Sequence, residues 1–102
     1  MEKIRQKILE FRDQRDWKKY HHEKDLAISI SLEANELLEN FQWRSSEDAV
    51  ADSKQNIKEE MADILIYLVQ MADKMDVDLE EEVYSKLEKN AKKYPVKVGE
   101  QQ

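Results

Sequence analysis

The chain has 102 residues, of which 39% are charged, and it contains one glycine, one proline and no cysteine. This composition favours long solvated helices over turn-rich sheets and excludes disulfides and thiolate chemistry. A net charge of −6 at pH 7 argues against binding a nucleic-acid polymer. The longest apolar run, residues 64–72, is about half as long as a membrane-crossing helix, and the N-terminus lacks the pattern of a signal peptide. We therefore expect an all-α, cytoplasmic protein that makes no contact with membranes.

Two helices are predicted in the first half of the chain. The first spans about residues 2–15 and carries an apolar stripe at Ile4, Ile8 and Phe11. A polar connector follows. The second helix spans about residues 24–41, with Asp25 as a candidate cap and an apolar stripe at Ala27, Ile30, Ala34, Leu37 and Phe41.

In the second half of the chain, the sequence predicts one short helix and two long helices. Ser45 or Ser46 could start the short helix, and a long third helix covers about residues 53–74. This third helix has apolar residues at alternating four-three spacing, which we call the third-helix seam: Ile57, Met61, Ile64, Leu68, Met71 and Met75. Asp78 and Glu81 have the spacing of a capping box, and Pro95 ends the fourth helix.

These elements predict a four-helix, bundle-like single domain at residues 1–95, followed by a loose tail at 96–102. The seam and the second helix expose more apolar surface than four short helices of one chain can cover. We therefore expect a homo-oligomer.

Two pairs of acids lie beside apolar stripes, one pair on each of two helices. Glu33 and Glu36 share a sector of the second helix, and Glu60 and Asp63 share a sector of the third. If the two helices pack antiparallel, four carboxylates converge, and a divalent cation is the simplest way to offset their repulsion. Ligands that are all oxygen favour Mg²⁺ or Mn²⁺ over Zn²⁺.

Chance pairing on solvated faces stays open as an interpretation of these acids, whereas a di-iron bundle is disfavoured. An acid-rich chain produces such pairs by chance, and most of them are solvated helix faces. A di-iron bundle requires a Glu-x-x-His pair on two helices, whereas the only histidines, His21 and His22, lie in the connector.

Aromatic and basic side chains offer further candidates. Trp17 and Trp43 flank the second helix, where each could stack on a planar ring or fill core volume. The lysines of the last helix could attract phosphates or simply complement the helix dipole: Lys86, Lys89, Lys92 and Lys93.

Three segments together resemble a known family. They are RDWKKYHHEKDLAISISLEANELLENFQW, KEEMADILIYLVQMAD and KLEKNAKKYP. They are similar to the MazG-like all-α nucleotide pyrophosphohydrolases, and in particular to the dCTP pyrophosphatase branch, over about residues 3–95.

The resemblance implies Mg²⁺-dependent hydrolysis of a nucleoside triphosphate, such as dCTP or a modified dNTP, to the monophosphate and pyrophosphate. It implies a bundle assembled from two or more subunits, as a homodimer or homotetramer. The implied metal ligands and catalytic residues are Glu33, Glu36, Glu60 and Asp63, with Glu33 or Glu36 as the alternative candidates for a general base. The implied substrate-binding residues are Trp17, His21, Trp43, Tyr67, Lys86, Asn90, Lys93 and Tyr94.

The chain departs from the family pattern in the connector. Relatives usually have proline where this chain has Glu23, and asparagine where it has Asp25. The preferred base is therefore left open. Two alternatives to an enzyme also remain: a helical interaction protein that keeps the fold without activity, and a sensor that binds nucleotides without hydrolysing them.

Overall fold

The structure, a computed structural model, describes residues 1–97 and consists of four helices: α1 (Glu2–Gln14), α2 (Glu23–Glu39), α3 (Ser46–Lys74) and α4 (Leu79–Lys93). Residues 1–97 contain no strand, so the all-α prediction is confirmed. No helix in this range combines the length and apolar character needed to cross a membrane. Residues 98–102 of the predicted loose tail at 96–102 lie outside the described residues.

α1 and α3 end in the same way, with an aspartate in the left-handed region. Asp16 and Asp76 both have φ 58°. Just beyond each aspartate, a backbone N–H donates to a carbonyl five residues earlier, at 3.1 and 2.8 Å. This is the Schellman arrangement that usually uses glycine, and aspartate is one of the few other residues that tolerate it. The chain therefore makes sharp helix ends although its only glycine is Gly99.

The short helix and the third helix of the sequence prediction are one helix with a kink. Ser45 caps α3 by accepting a hydrogen bond from the Asp48 N–H at 3.1 Å, as the hydroxyl pattern predicted. Ser53 has φ −122° and ψ 21°, which are not helical values. The predicted short helix and third helix therefore meet at Ser53, where the backbone leaves helical geometry for one residue and the chain bends.

α2 and α3 form an antiparallel pair that positions the candidate site. At one end of the pair, Asn56 Nδ2 donates to Asn40 Oδ1 at 2.9 Å. Further along, the pair brings together carboxylates from both helices, and beyond them Tyr67 lies beside Ser29. Each step of three or four residues forward on α2 thus matches an equal step backward on α3, so both polar stripes stay in register.

The buried core is small, and α1 is attached to it through an ion pair. Leu26, Ala49 and Val69 are the buried hydrophobic residues, at 1%, 0% and 3% exposure. Arg12 of α1 is 3% exposed and donates from its guanidinium to Asp73 of α3 at 2.8 Å. Burial raises the pKa of the Asp73 carboxyl. The hydrogen bond and the charge of Arg12 outweigh burial, so the pKa of Asp73 lies below its ordinary value.

Much of the apolar surface is not covered within one chain. In the third-helix seam, Met61 is 59% exposed and Met75 is 53% exposed. α4 has no buried residue, and its Leu87 is 57% exposed. A single chain thus leaves much of the seam uncovered, as the sequence analysis expected, and its packing against helices of a second copy stays a prediction.

Candidate metal centre

Three carboxylates meet in the middle of the α2–α3 pair. Glu33 and Glu36 are one turn apart on α2, and Glu60 reaches them from α3. Each offers one oxygen, and these three oxygens lie within 4.8 Å of one another. The convergence that the sequence predicted for an antiparallel pair is therefore present for three of its four acids.

Glu33 and Glu60 each have an oxygen that the protein does not satisfy. Both side chains are partly buried, and both Oε2 atoms are buried without a hydrogen-bond partner among residues 1–97. Such atoms are rare in folded proteins because each loses its hydration and gains nothing in return. They are the strongest structural indication that the cluster binds a ligand.

The electrostatics of the cluster point to a positive charge. The pKa of Glu33 is raised from its ordinary 4.5 to about 8, first by the close approach of the Glu60 carboxylate, then by burial, and then by Glu36. Like charges this close repel one another, and a bound cation would relieve that repulsion. Hard oxygen donors with unsatisfied lone pairs fit a divalent cation such as Mg²⁺ or Mn²⁺.

Asp63, the fourth predicted ligand, lies one turn beyond Glu60 on α3. It is partly buried, and it is not among the three carboxylates that lie within 4.8 Å of one another. Its charge does reach Tyr67, whose pKa is raised by burial and by the charges of Glu33, Asp63 and Glu36. Asp63 therefore borders the cluster, and its role as a ligand remains a prediction.

Trp17 and His21 lie together in the α1–α2 connector. Their ring centroids are 5.6 Å apart with planes at 35°, and the His21 N–H donates to the Trp17 carbonyl at 3.0 Å. Trp17 also meets Phe11 edge-on at 5.7 Å and is 38% exposed. The connector thus presents a partly open aromatic surface.

Trp43 lies at the other end of α2 in an unusual conformation. Its φ is 63° and its side chain is 100% exposed. A bulky residue in the left-handed region is uncommon, and such strain is a reason to suspect function. Arg44 secures the turn by an ion pair with Asp52 and a hydrogen bond to the Asp48 carbonyl at 3.1 Å.

The predicted substrate residues of the C-terminal part are not buried against the rest of the chain. They lie on or just after α4, where Asn90 is partly exposed and the other three are exposed: Lys86, Lys93 and Tyr94. Within residues 1–97, no hydrogen bond or ion pair joins these four residues to the carboxylate cluster.

The sequence prediction missed three polar residues that shape the site's surroundings: Arg44, Asn56 and Gln70. Asn56 was detectable, because it precedes Glu60 by one turn and so continues the polar stripe of α3. Gln70 was detectable as an amide within the apolar run at 64–72. Arg44 had no such signal, because its contacts depend on how the turn folds.

A separate cavity of about 330 Å³ lies between the start of α1 and the α3–α4 turn. Its charged lining includes Arg5, Asp73 and Asp78. None of the predicted site residues lines this cavity. The carboxylate cluster lies outside it, in the middle of the α2–α3 pair.

Comparisons with known proteins agree with this architecture. Residues 28–102 match the MazG-like family. The chain is 37% identical to dCTP pyrophosphatase 1 of Mus musculus and 35% identical to that of Homo sapiens, over 94% and 93% of its length. It spans 59% of the length of each of these relatives. A crystal structure of a pyrophosphatase from Archaeoglobus fulgidus matches with a TM-score of 0.87 and 47% identity, covering 94% of this chain and 93% of that one.

The fold and the cluster define an all-α helical protein with paired carboxylates on two antiparallel helices. With the matches above, the family is shown: the chain belongs to the MazG-like family. The resemblance predicted from the sequence is thereby confirmed.

Proposed function

We propose that the protein is a nucleotide pyrophosphohydrolase that cleaves a nucleoside triphosphate, dCTP or a related dNTP, to the monophosphate and pyrophosphate. The observation that carries this proposal is the cluster of Glu33, Glu36 and Glu60 with its two unsatisfied buried oxygens. Relatives named dCTP pyrophosphatase 1 and a pyrophosphatase of the same fold support the reaction class.

The carboxylates would hold Mg²⁺, with Mn²⁺ as the alternative, and Asp63 would complete the set. When bound, the cation would neutralise the phosphates and lower the pKa of an attacking water. The protein's own contribution is a prepared anionic site. Glu33, whose pKa is raised, would release its proton to a bound cation, because the positive charge would relieve the repulsion that the proton otherwise relieves. Glu33 and Glu36 both remain candidates for the general base.

The reaction can be tested with a panel of dNTPs and NTPs in MgCl₂, in water enriched in ¹⁸O. We expect monophosphate and pyrophosphate rather than diphosphate and phosphate, and the label identifies the phosphorus atom that water attacks. Glu36→Gln should abolish turnover, whereas Glu39→Gln on an exposed turn of the same helix should not. Absence of Mg²⁺- or Mn²⁺-dependent turnover for the whole panel would overturn the proposal, and binding without turnover would favour a nucleotide sensor.

The two tryptophans that the resemblance implies as substrate-binding residues lie too far apart to stack on one base within a chain. Trp17 precedes α2 and Trp43 follows it, and a 17-residue helix is about 25 Å long. The cluster lies between them. We therefore propose a homodimer, alone or within a homotetramer, in which Trp43 of a second copy approaches Trp17. The exposed apolar side chains of α2 and α3, such as Leu32 at 60% and Met61 at 59%, supply an interface.

Complementation between two inactive variants tests this arrangement. Glu60→Gln removes a ligand and Trp43→Ala removes a base contact, so each alone should have little activity. In a mixed dimer, one site has both residues intact if they come from different copies. An equal mixture should then regain about one site in four if subunits exchange at random. A mixture that exchanges subunits, shown by mass, and regains no activity would refute the shared site.

A further inference from the structure

Gln70 is a buried amide that connects α3 to the connector between α1 and α2. It is 3% exposed, and its Oε1 lies 3.2 Å from Nδ1 of His21. An amide oxygen can only accept a hydrogen bond, so this contact requires a proton on Nδ1 of His21. In the neutral imidazole the other nitrogen, Nε2, then carries a lone pair and can accept.

Whether Nε2 of His21 carries a proton matters because of the position of the ring. The ring is partly buried and tilts against Trp17, with the centroids 5.6 Å apart. The residue is also tied to Trp17 through its backbone N–H. An acceptor on the rim of this aromatic surface would meet the edge of any planar ring that stacks on Trp17.

We propose that Gln70 is a positioning residue that fixes the tautomer of His21, so that Nε2 accepts a hydrogen bond from a donor group on the nucleotide base. The recognition step rests on the proposed function, whereas the tautomer does not. Gln70 touches no substrate itself and acts only through His21.

A purely structural role for Gln70 makes a different prediction. The same amide, turned by half a rotation, would donate from Nε2 to His21 Nδ1 and fill the same space. That arrangement places the ring proton on Nε2 of His21 and leaves no acceptor on the rim. Packing alone would therefore be satisfied by either tautomer of His21. Recognition of the base by an acceptor requires the tautomer with its proton on Nδ1.

Two-bond ¹H–¹⁵N correlation spectra of the full chain decide the tautomer without nucleotide or metal. The variant His22→Asn leaves His21 as the only histidine. At alkaline pH we expect Nδ1 to show the shift of a protonated ring nitrogen and Nε2 that of an unprotonated one. A proton on Nε2, or an even mixture of both forms, would refute the proposal. Gln70 is unchanged in this variant, so the spectra report the tautomer of His21 even if the Gln70 variants fail to fold.

Steady-state kinetics on the best substrate of the panel test the consequence. Gln70→Met removes the acceptor at similar size and should raise KM about fivefold, the usual effect of one lost hydrogen bond, with kcat unchanged. Gln70→Glu keeps an oxygen acceptor and should restore KM at alkaline pH, where the imidazole is neutral and Nε2 still accepts. The control is Gln55→Met, the same exchange at an exposed site on α3.

Unchanged KM in Gln70→Met, or an equal defect in Gln70→Glu at alkaline pH, would refute the positioning role. If the wild type turned over no nucleotide, the proposed function would fail separately, and the spectra would still decide the tautomer.

Discussion

Replacing Glu60 with glutamine is expected to change how the stability of the metal-free protein depends on pH. Glu60 is the largest cause of the raised Glu33 pKa. Between pH 4.5 and about 8 the folded protein holds a proton on Glu33 that the unfolded chain has released. The free energy of unfolding therefore falls as pH rises through this range, and the loss is complete above about pH 8.

The size of this effect follows from the pKa of Glu33. A rise from 4.5 to about 8 corresponds to at most about 5 kcal/mol. Glu33 is only partly buried, so solvent screening reduces the expected loss to about 1–2 kcal/mol. In a domain of this size, such a loss lowers Tm by about 5–10 °C.

The assay is thermal unfolding in EDTA at about pH 5 and about pH 8, at one fixed protein concentration. Wild type should lose more stability over this interval than Glu60→Gln, because the variant removes the charge that destabilises ionised Glu33. Added MgCl₂ should stabilise wild type more at the higher pH, where protons no longer compete with the cation, and should not stabilise Glu60→Gln. Glu39→Gln is the matched control, since Glu39 is exposed and outside the cluster.

Equal pH dependence in wild type and Glu60→Gln would refute the electrostatic account of the cluster. Stabilisation of both proteins by MgCl₂ to the same extent would show that the cation binds elsewhere.

Two further predictions concern the core. Arg12→Met should cost about 3 kcal/mol in urea unfolding, because it leaves the largely buried Asp73 carboxylate without its best partner. Since Arg12 holds the Asp73 pKa low, wild type should also lose more stability than the variant on acidification below pH 3.8, and equal losses would contradict this. Leu26→Ala should cost about 2–5 kcal/mol by opening a cavity at a residue that is 1% exposed. A cost below about 1 kcal/mol would mean that neighbouring side chains fill the space.

The helices and their ends were largely predictable because their causes are local. Ser45 and Asp78 cap helices through hydroxyl or carboxylate oxygens placed three residues before the N–H they accept from. Asp25 also acts locally, though not as the cap itself: it accepts from the His22 N–H at 3.3 Å, and Glu23 is the first residue of α2.

The helix boundary at about Ser53 was predicted, but the direct junction of the two helical segments there and the left-handed Trp43 were not. Both depend on the turn between α2 and α3, where Arg44 donates to Ser53 Oγ at 3.2 Å and to Asp48. These contacts join residues up to nine positions apart in a geometry that no helical period encodes.

The sequence by itself determined which acids share a helix face, because the side chains of one helix are fixed by its 3.6-residue period. It could place Glu33 beside Glu36, and Glu60 beside Asp63. Only the tertiary structure decided that Glu60, and not Asp63, completes the cluster of three, and that Gln70 meets His21. Distances between helices depend on their register and separation, which are set by packing across the whole α2–α3 pair rather than by any one segment.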